Sequence, residues 1–230
     1  MDDLVLLHAF PLDARMWQVP GALTPDLRGH GEPDLGTLAN QVLAELDERK
    51  LDQVLLGGCS MGGYVAMAVL RRAPERVKGL VFVDTKHTAD AAEAARNRHA
   101  MADRVEAEGV GEWLVDAVLP NLLSPNAPAE ARDRVTTMIL EQRPEDVAWW
   151  QRAMAKRPDS ADVLGKAEVP ALVVAGELDP LMSPEVVRQL ADVLPHSTFV
   201  EMKGVAHLPP VEQPEQFASV LESWVTSAGW

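Results

Sequence analysis

Short apolar runs recur in the first and last parts of the chain, separated by stretches in which apolar residues return every three to four positions. Leu4-Val5-Leu6-Leu7, Val54-Leu55-Leu56, Val77 to Val83, Ala171 to Ala175 and Thr198 to Met202 are too short for helices. They predict strands covered on both faces, as in a parallel sheet. Ala22-Leu23-Thr24, just ahead of Pro25, adds a short further strand. The helical repeat covers Leu38 to Arg49, Met61 to Arg72, Pro184 to Leu194 and Pro214 to Thr226. This alternation predicts a doubly wound, mostly parallel α/β sheet of about six strands with helices on both faces.

Between Lys86 and Ser160 the pattern changes. No strand run occurs, and helical periodicity is broken at Gly109, Pro120, Pro125, Pro128, Pro144 and Pro158. The stretch reads as three or four helices inserted between two strands. The expected organisation is a core of residues 1–85 and 161–230 with a helical lid at 86–160. The insert carries a net charge of −3 against −11 for the rest of the chain, and it holds three of the six tryptophans. A nearly neutral, tryptophan-bearing insert suits a lid over an apolar pocket, with Trp113, Trp149 and Trp150 as substrate-binding candidates. The competing expectation is that they form the insert's own small core.

Composition narrows the function classes. The 230 residues are 47% hydrophobic and 24% charged, which is globular rather than disordered. Net charge is −14, which argues against nucleic acid or an anionic membrane surface as partner. The stretch Gln53 to Leu70 is 18 residues without a charge, but the glycines at its centre read as a strand–turn–helix rather than a membrane span. A single cysteine, Cys59, excludes an intrachain disulfide and a four-cysteine zinc site. The start Met1-Asp2-Asp3-Leu4 lacks the basic and apolar segments of a secretory signal, so a cytoplasmic protein is expected.

The strongest chemical signal is Gly58-Cys59-Ser60-Met61-Gly62, between the strand Val54-Leu55-Leu56 and the helix from Met61. A serine on such a tight turn is lifted above the sheet edge at a helix N-terminus. Side chains two before and two after it would collide, so both positions are glycine. A serine hydroxyl is a weak nucleophile and needs a base held by an acid. Of six histidines, His207 follows the last strand at the sheet's carboxyl edge, whereas His99 and His196 read as solvated. Asp179 follows the strand Ala171 to Ala175 at the same edge and is the acid candidate, with Asp84 as its rival. The oxyanion donors expected are the backbone N–H groups of Met61 and, in the loop after the first strand, Phe10. His8 then shapes that loop without taking part in chemistry.

These motifs resemble those of an α/β-hydrolase with a helical lid. HAFPLD at His8, DLRGHGE at Asp26, GCSMGG at Gly58, GELDP at Gly176 and GVAHLPPVEQPEQF at Gly204 carry the resemblance, in that family's order over nearly the whole chain. The resemblance implies a Ser60–His207–Asp179 hydrolase with no metal or organic cofactor. It is strongest with small esterases, enol-lactonases, carbon–carbon bond hydrolases and cofactor-free haloperoxidases. Four departures stand out. The chain begins at the strand leading into the His8 loop, and the link from Trp17 to Asp26 is short. Ala9 stands where a glycine is usual, and Cys59 where a histidine is common.

The expected function is cleavage of a small, partly apolar carboxylic ester or lactone through an acyl-enzyme on Ser60. The alternatives are a carbon–carbon bond hydrolase or lyase on the same residues, with Arg28, Arg96, Arg98 or Arg152 holding a carboxylated substrate, and a slow-turnover ligand-binding protein. A monomer or homodimer with a small-molecule substrate is expected.

Overall fold

The computed structural model describes residues 3–230. Met1 and Asp2, on which the reading of the N-terminus partly rests, lie outside the described residues. Five strands form one parallel sheet in the order β1 (Leu4–Leu7), β2 (Val54–Cys59), β3 (Val77–Val83), β4 (Ala171–Gly176) and β5 (Ser197–Met202). Every residue of β1, β2 and β4 is buried, as their unbroken apolar sequences require, whereas β5 is an edge strand with most of its residues partly exposed.

The sheet has five strands, not the expected six, because Ala22-Leu23-Thr24 does not extend into a ladder. Leu23 alone bridges Val5, its N–H donating to the Leu4 carbonyl and its carbonyl accepting from the Leu6 N–H, both at 2.8 Å. The chain enters this bridge from a turn at Gly21 and leaves it at Pro25, which has no N–H to continue the pairing.

The first crossover is a helix, α1 (Leu35–Glu48), that starts three residues before the periodicity suggests. Asp34 caps it, its carboxylate accepting from the Gly36 N–H at 2.6 Å. Next, α2 (Met61–Arg72) follows β2 without a linker, so the uncharged stretch is a strand and a helix. No helix among the described residues is long and apolar enough to cross a membrane.

Between β3 and β4 run α3 (Ala92–Glu108), α4 (Glu112–Leu122), α5 (Ala129–Leu140), α6 (Pro144–Ala155) and the single turn α7 (Ala161–Leu164). Helices α3 and α6 pack along each other as the insertion's main pair. After β4 come α8 (Pro184–Val193), then β5, the short α9 (Pro209–Glu212) and α10 (Pro214–Ser227). Both faces of the sheet are covered. Arg188 of α8 lies over the Phe199 ring, while Val220 and Trp224 of α10 line a groove with Thr198 and Val200, which point the other way from β5.

Candidate active site

The carboxyl ends of β2, β3 and β4 converge on one region. At the end of β2, Ser60 takes φ 50° and ψ −112°, a conformation non-glycine residues rarely adopt. Neighbours hold it there. Its N–H donates to the Val83 carbonyl at 2.9 Å, and its carbonyl accepts from the Thr85 hydroxyl at 2.9 Å. Strain of about 1–3 kcal/mol persists only where surroundings over-determine it. The flanking glycines are steric necessities. A Cβ on Gly58 would lie 2.1 Å from the Gly62 carbonyl carbon, and one on Gly62 would lie 2.0 Å from the Leu7 carbonyl oxygen.

After β4, Asp179 is buried with its two carboxylate oxygens divided between tasks. Oδ1 accepts from the backbone N–H groups of Leu181 at 2.7 Å and Met182 at 3.0 Å. Oδ2 lies 2.6 Å from Nδ1 of His207, whose side chain is 1% exposed. That contact leaves Nε2 as the free ring nitrogen. Asp84, the rival acid, does not touch the imidazole. Its Oδ1 accepts from the Gly176 N–H at 2.9 Å, and the residue is fully buried at the end of β3. Burial, and next the charge of the adjacent Asp179, push its carboxyl well above the usual range.

Ser60, His207 and Phe10 share the wall of one cavity of about 300 Å³. Helices α3, α4 and α6 supply the opposite wall through residues such as Arg98, Val118, Leu122 and Met154. Among the described residues, the backbone N–H groups of Phe10 and Met61 make no hydrogen bond. The Phe10 loop is braced from behind. His8 is buried, with Nδ1 3.1 Å from the Ala9 carbonyl and Nε2 accepting from the Leu27 N–H at 3.3 Å. Burial lowers its pKa, consistent with a neutral ring that shapes the loop. The Ala9 N–H is turned onto the Met16 sulfur at 3.1 Å, away from the oxyanion position.

None of the three candidate tryptophans lines this cavity. The Trp150 indole is buried edge-on to His8 and Phe10, and its Nε1–H donates to the Leu27 carbonyl at 2.6 Å. Trp149 donates to the Gly31 carbonyl and packs on Gly29. Trp113 donates to the Gly109 carbonyl and lies under the Arg104 guanidinium. Trp149 and Trp150 thus pack onto the loops at Gly29 and His8, outside the insert, and only Trp113 packs within it, so neither a pocket wall nor a core of the insert's own describes all three. Of the cationic candidates, Arg28 is tied to Asp26 and Asp146, Arg152 to Asp103 and Glu106, and Arg96 is exposed. Only Arg98 reaches the cavity.

Sequence reasoning did not single out Glu212. Its buried carboxylate accepts from the Ala206 N–H at 2.8 Å and from both the N–H and hydroxyl of Ser124, at 3.1 and 2.5 Å. It therefore ties the His207 loop to the link between α4 and α5. The available signal was a lone acid in the otherwise apolar turn Leu208-Pro209-Pro210-Val211. Cys59 packs under the same loop, its Sγ 3.6 Å from the His207 carbonyl, and burial pushes its thiol well up.

Known proteins share the fold. Residues 4–220 match the alpha/beta hydrolase family. A pimeloyl-(acyl-carrier protein) methyl ester esterase from Yersinia enterocolitica is 29% identical over 239 residues, covering 95% of this chain and 91% of that protein. A thermophilic esterase from Thermogutta terrifontis, solved with malate bound, is 34% identical with a TM-score of 0.94, over 99% of this chain and 90% of that one. An enol-lactonase from Burkholderia xenovorans shares the fold at 24% identity and a TM-score of 0.83, over 98% and 92% of the two chains. This chain belongs to the α/β-hydrolase family, in its esterase-like branch, and is a hydrolase.

Proposed function

We propose that this α/β-hydrolase is a serine esterase that cleaves small carboxylic esters or lactones through an acyl-enzyme on Ser60. The observation that carries the reading is the buried 2.6 Å contact between Asp179 and His207, opening onto the cavity that Ser60 also lines. The Asp179 carboxylate holds the proton on Nδ1, which leaves Nε2 to act as base. Ser60 Oγ attacks the ester carbonyl carbon as Nε2 takes its proton. The Phe10 and Met61 amides, free of other acceptors, receive the oxyanion. Collapse breaks the carbon–oxygen bond, and the imidazolium returns the proton to the leaving alcohol. Water, deprotonated by Nε2, then attacks the acyl carbon, and the acid leaves Ser60 with its hydroxyl restored. Residues 86–160 serve as the lid, excluding bulk water over this chemistry. No step requires a metal or organic cofactor, and the partner is a small molecule.

Steady turnover of p-nitrophenyl acetate and butyrate tests the reading. Sustained release supports it. A single burst followed by stalling favours a ligand-binding protein, and turnover of a vinylogous diketone but not of esters favours carbon–carbon bond hydrolysis.

A further inference from the structure

We propose that the cavity contains a carboxylate subsite at Lys86, backed by the positive charge of Arg98 and Arg157, and that the esters cleaved best carry a second, ionised carboxylate. The proposal rests on the esterase reading above and names the substrate class for it.

Three cations surround one carboxylate, Asp90, on the cavity wall. Asp90 takes Arg157 on Oδ1 at 2.8 Å and Arg98 on Oδ2 at 2.5 Å, and the Lys86 ammonium stands 3.5 Å from Oδ1. The Asp90 and Arg157 side chains are buried, whereas Arg98 and Lys86 remain about one-fifth exposed, at 21% and 23%. Burial alone would raise the Asp90 carboxyl, but the two arginines hold it well below the usual carboxylate range, so it stays ionised. An excess of two positive charges remains. In a chain of net charge −14, that is a local arrangement against the overall composition.

The two guanidinium groups are already committed. Besides Asp90, Arg98 donates to the Gln151 amide oxygen at 3.1 Å, and Arg157 donates to the Met154 and Thr88 carbonyls and stacks over the Tyr64 ring. Lys86 is not committed. Its ammonium carries three donors and has only the long pairing to Asp90. On the same wall, the Tyr64 ring carries the Arg157 guanidinium, and its hydroxyl is buried out of reach of a ligand. The Lys86 ammonium, short of acceptors and backed by an excess of positive charge, suits a single carboxylate. The apolar residues Ala94, Val118 and Met154 suit a short methylene chain joining it to the ester.

The test compares kcat/KM for monomethyl and dimethyl glutarate, which differ at the remote group. A second pair, with the free carboxylate on the alcohol side, distinguishes which half of the ester occupies the subsite. We expect the wild type to prefer the anionic member of one pair by about tenfold or more, the scale of a charge-assisted hydrogen bond. Lys86→Met should pull this ratio toward one, and Lys86→Glu should invert it. A wild-type ratio of one or below, or a ratio that Lys86→Glu leaves unmoved, overturns the subsite while the esterase reading stands. If neither ester turns over, the p-nitrophenyl esters decide the esterase reading, and calorimetric binding of glutarate decides the subsite by itself. Binding lost in Lys86→Glu upholds it, and absent or unaltered binding rejects it.

Discussion

Replacing Asp179 with asparagine isolates the charge and the proton position that the proposed chemistry requires. The side chain keeps its shape, and the surroundings dictate how the amide sits. Oδ1 faces two backbone N–H groups, those of Leu181 and Met182, at 2.7 and 3.0 Å. Only the amide oxygen can satisfy both, so the NH2 group must face His207 Nδ1 across the 2.6 Å contact. Nδ1 then becomes an acceptor and the ring proton moves to Nε2. The nitrogen that must take the Ser60 proton is thereby occupied. A base lost in this way lowers kcat by about 10⁴, equivalent to about 5.4 kcal/mol of transition-state stabilisation. The assay is kcat/KM on p-nitrophenyl butyrate at neutral pH, with thermal unfolding run alongside to show that the variant folds. A loss below tenfold in a folded Asp179→Asn protein refutes the argument. If Asp84→Asn shows the large loss instead, the acid has been misassigned between the two neighbours.

Three further expectations follow from individual contacts. Trp150→Ala should remove about 3–5 kcal/mol of stability and lower Tm by roughly 6–20 °C, because its 1%-exposed indole fills space behind His8 and Phe10; a large KM increase with Tm unchanged would return it to the substrate site. Glu212→Gln leaves either the Ala206 or the Ser124 N–H facing an NH2 group, at a cost of about 1–3 kcal/mol; a lower Tm together with reduced kcat is expected, and an unchanged Tm contradicts the tie. The raised Asp84 carboxyl lets the native state keep a proton that the unfolded chain releases, so this group's contribution to wild-type stability falls as pH rises above the unfolded value near about pH 4. Asp84→Asn has no such proton, so its advantage in chemical denaturation should grow with pH above that point and vanish below it; a constant offset at every pH opposes this.

The parallel sheet was legible because its strands are buried on both faces, and burial leaves a run of apolar letters. The Ser60 turn was legible for a related reason, since Gly58 and Gly62 face backbone atoms too closely for any Cβ. Asp179 could be placed at the right edge but not against His207, because sequence carries no distance between two loops. The three tryptophans misled as candidate ligand contacts. Large aromatics in an insertion suit a pocket wall and a packing core equally, and the deciding acceptors, the carbonyls of Leu27, Gly31 and Gly109, are backbone atoms invisible in composition. Leu23 misled because one apolar triplet does not reveal whether its neighbours can pair. Lys86, Asp90 and Arg157 lie up to 71 residues apart, and their charge imbalance exists only once the chain is folded.

Intact-mass labelling with a fluorophosphonate probe reads directly whether Ser60 is activated. One adduct is expected on the wild type, none on Ser60→Ala, and much slower labelling of His207→Ala. A folded wild type that stays unlabelled, or an adduct that persists on Ser60→Ala, contradicts an activated serine at this position.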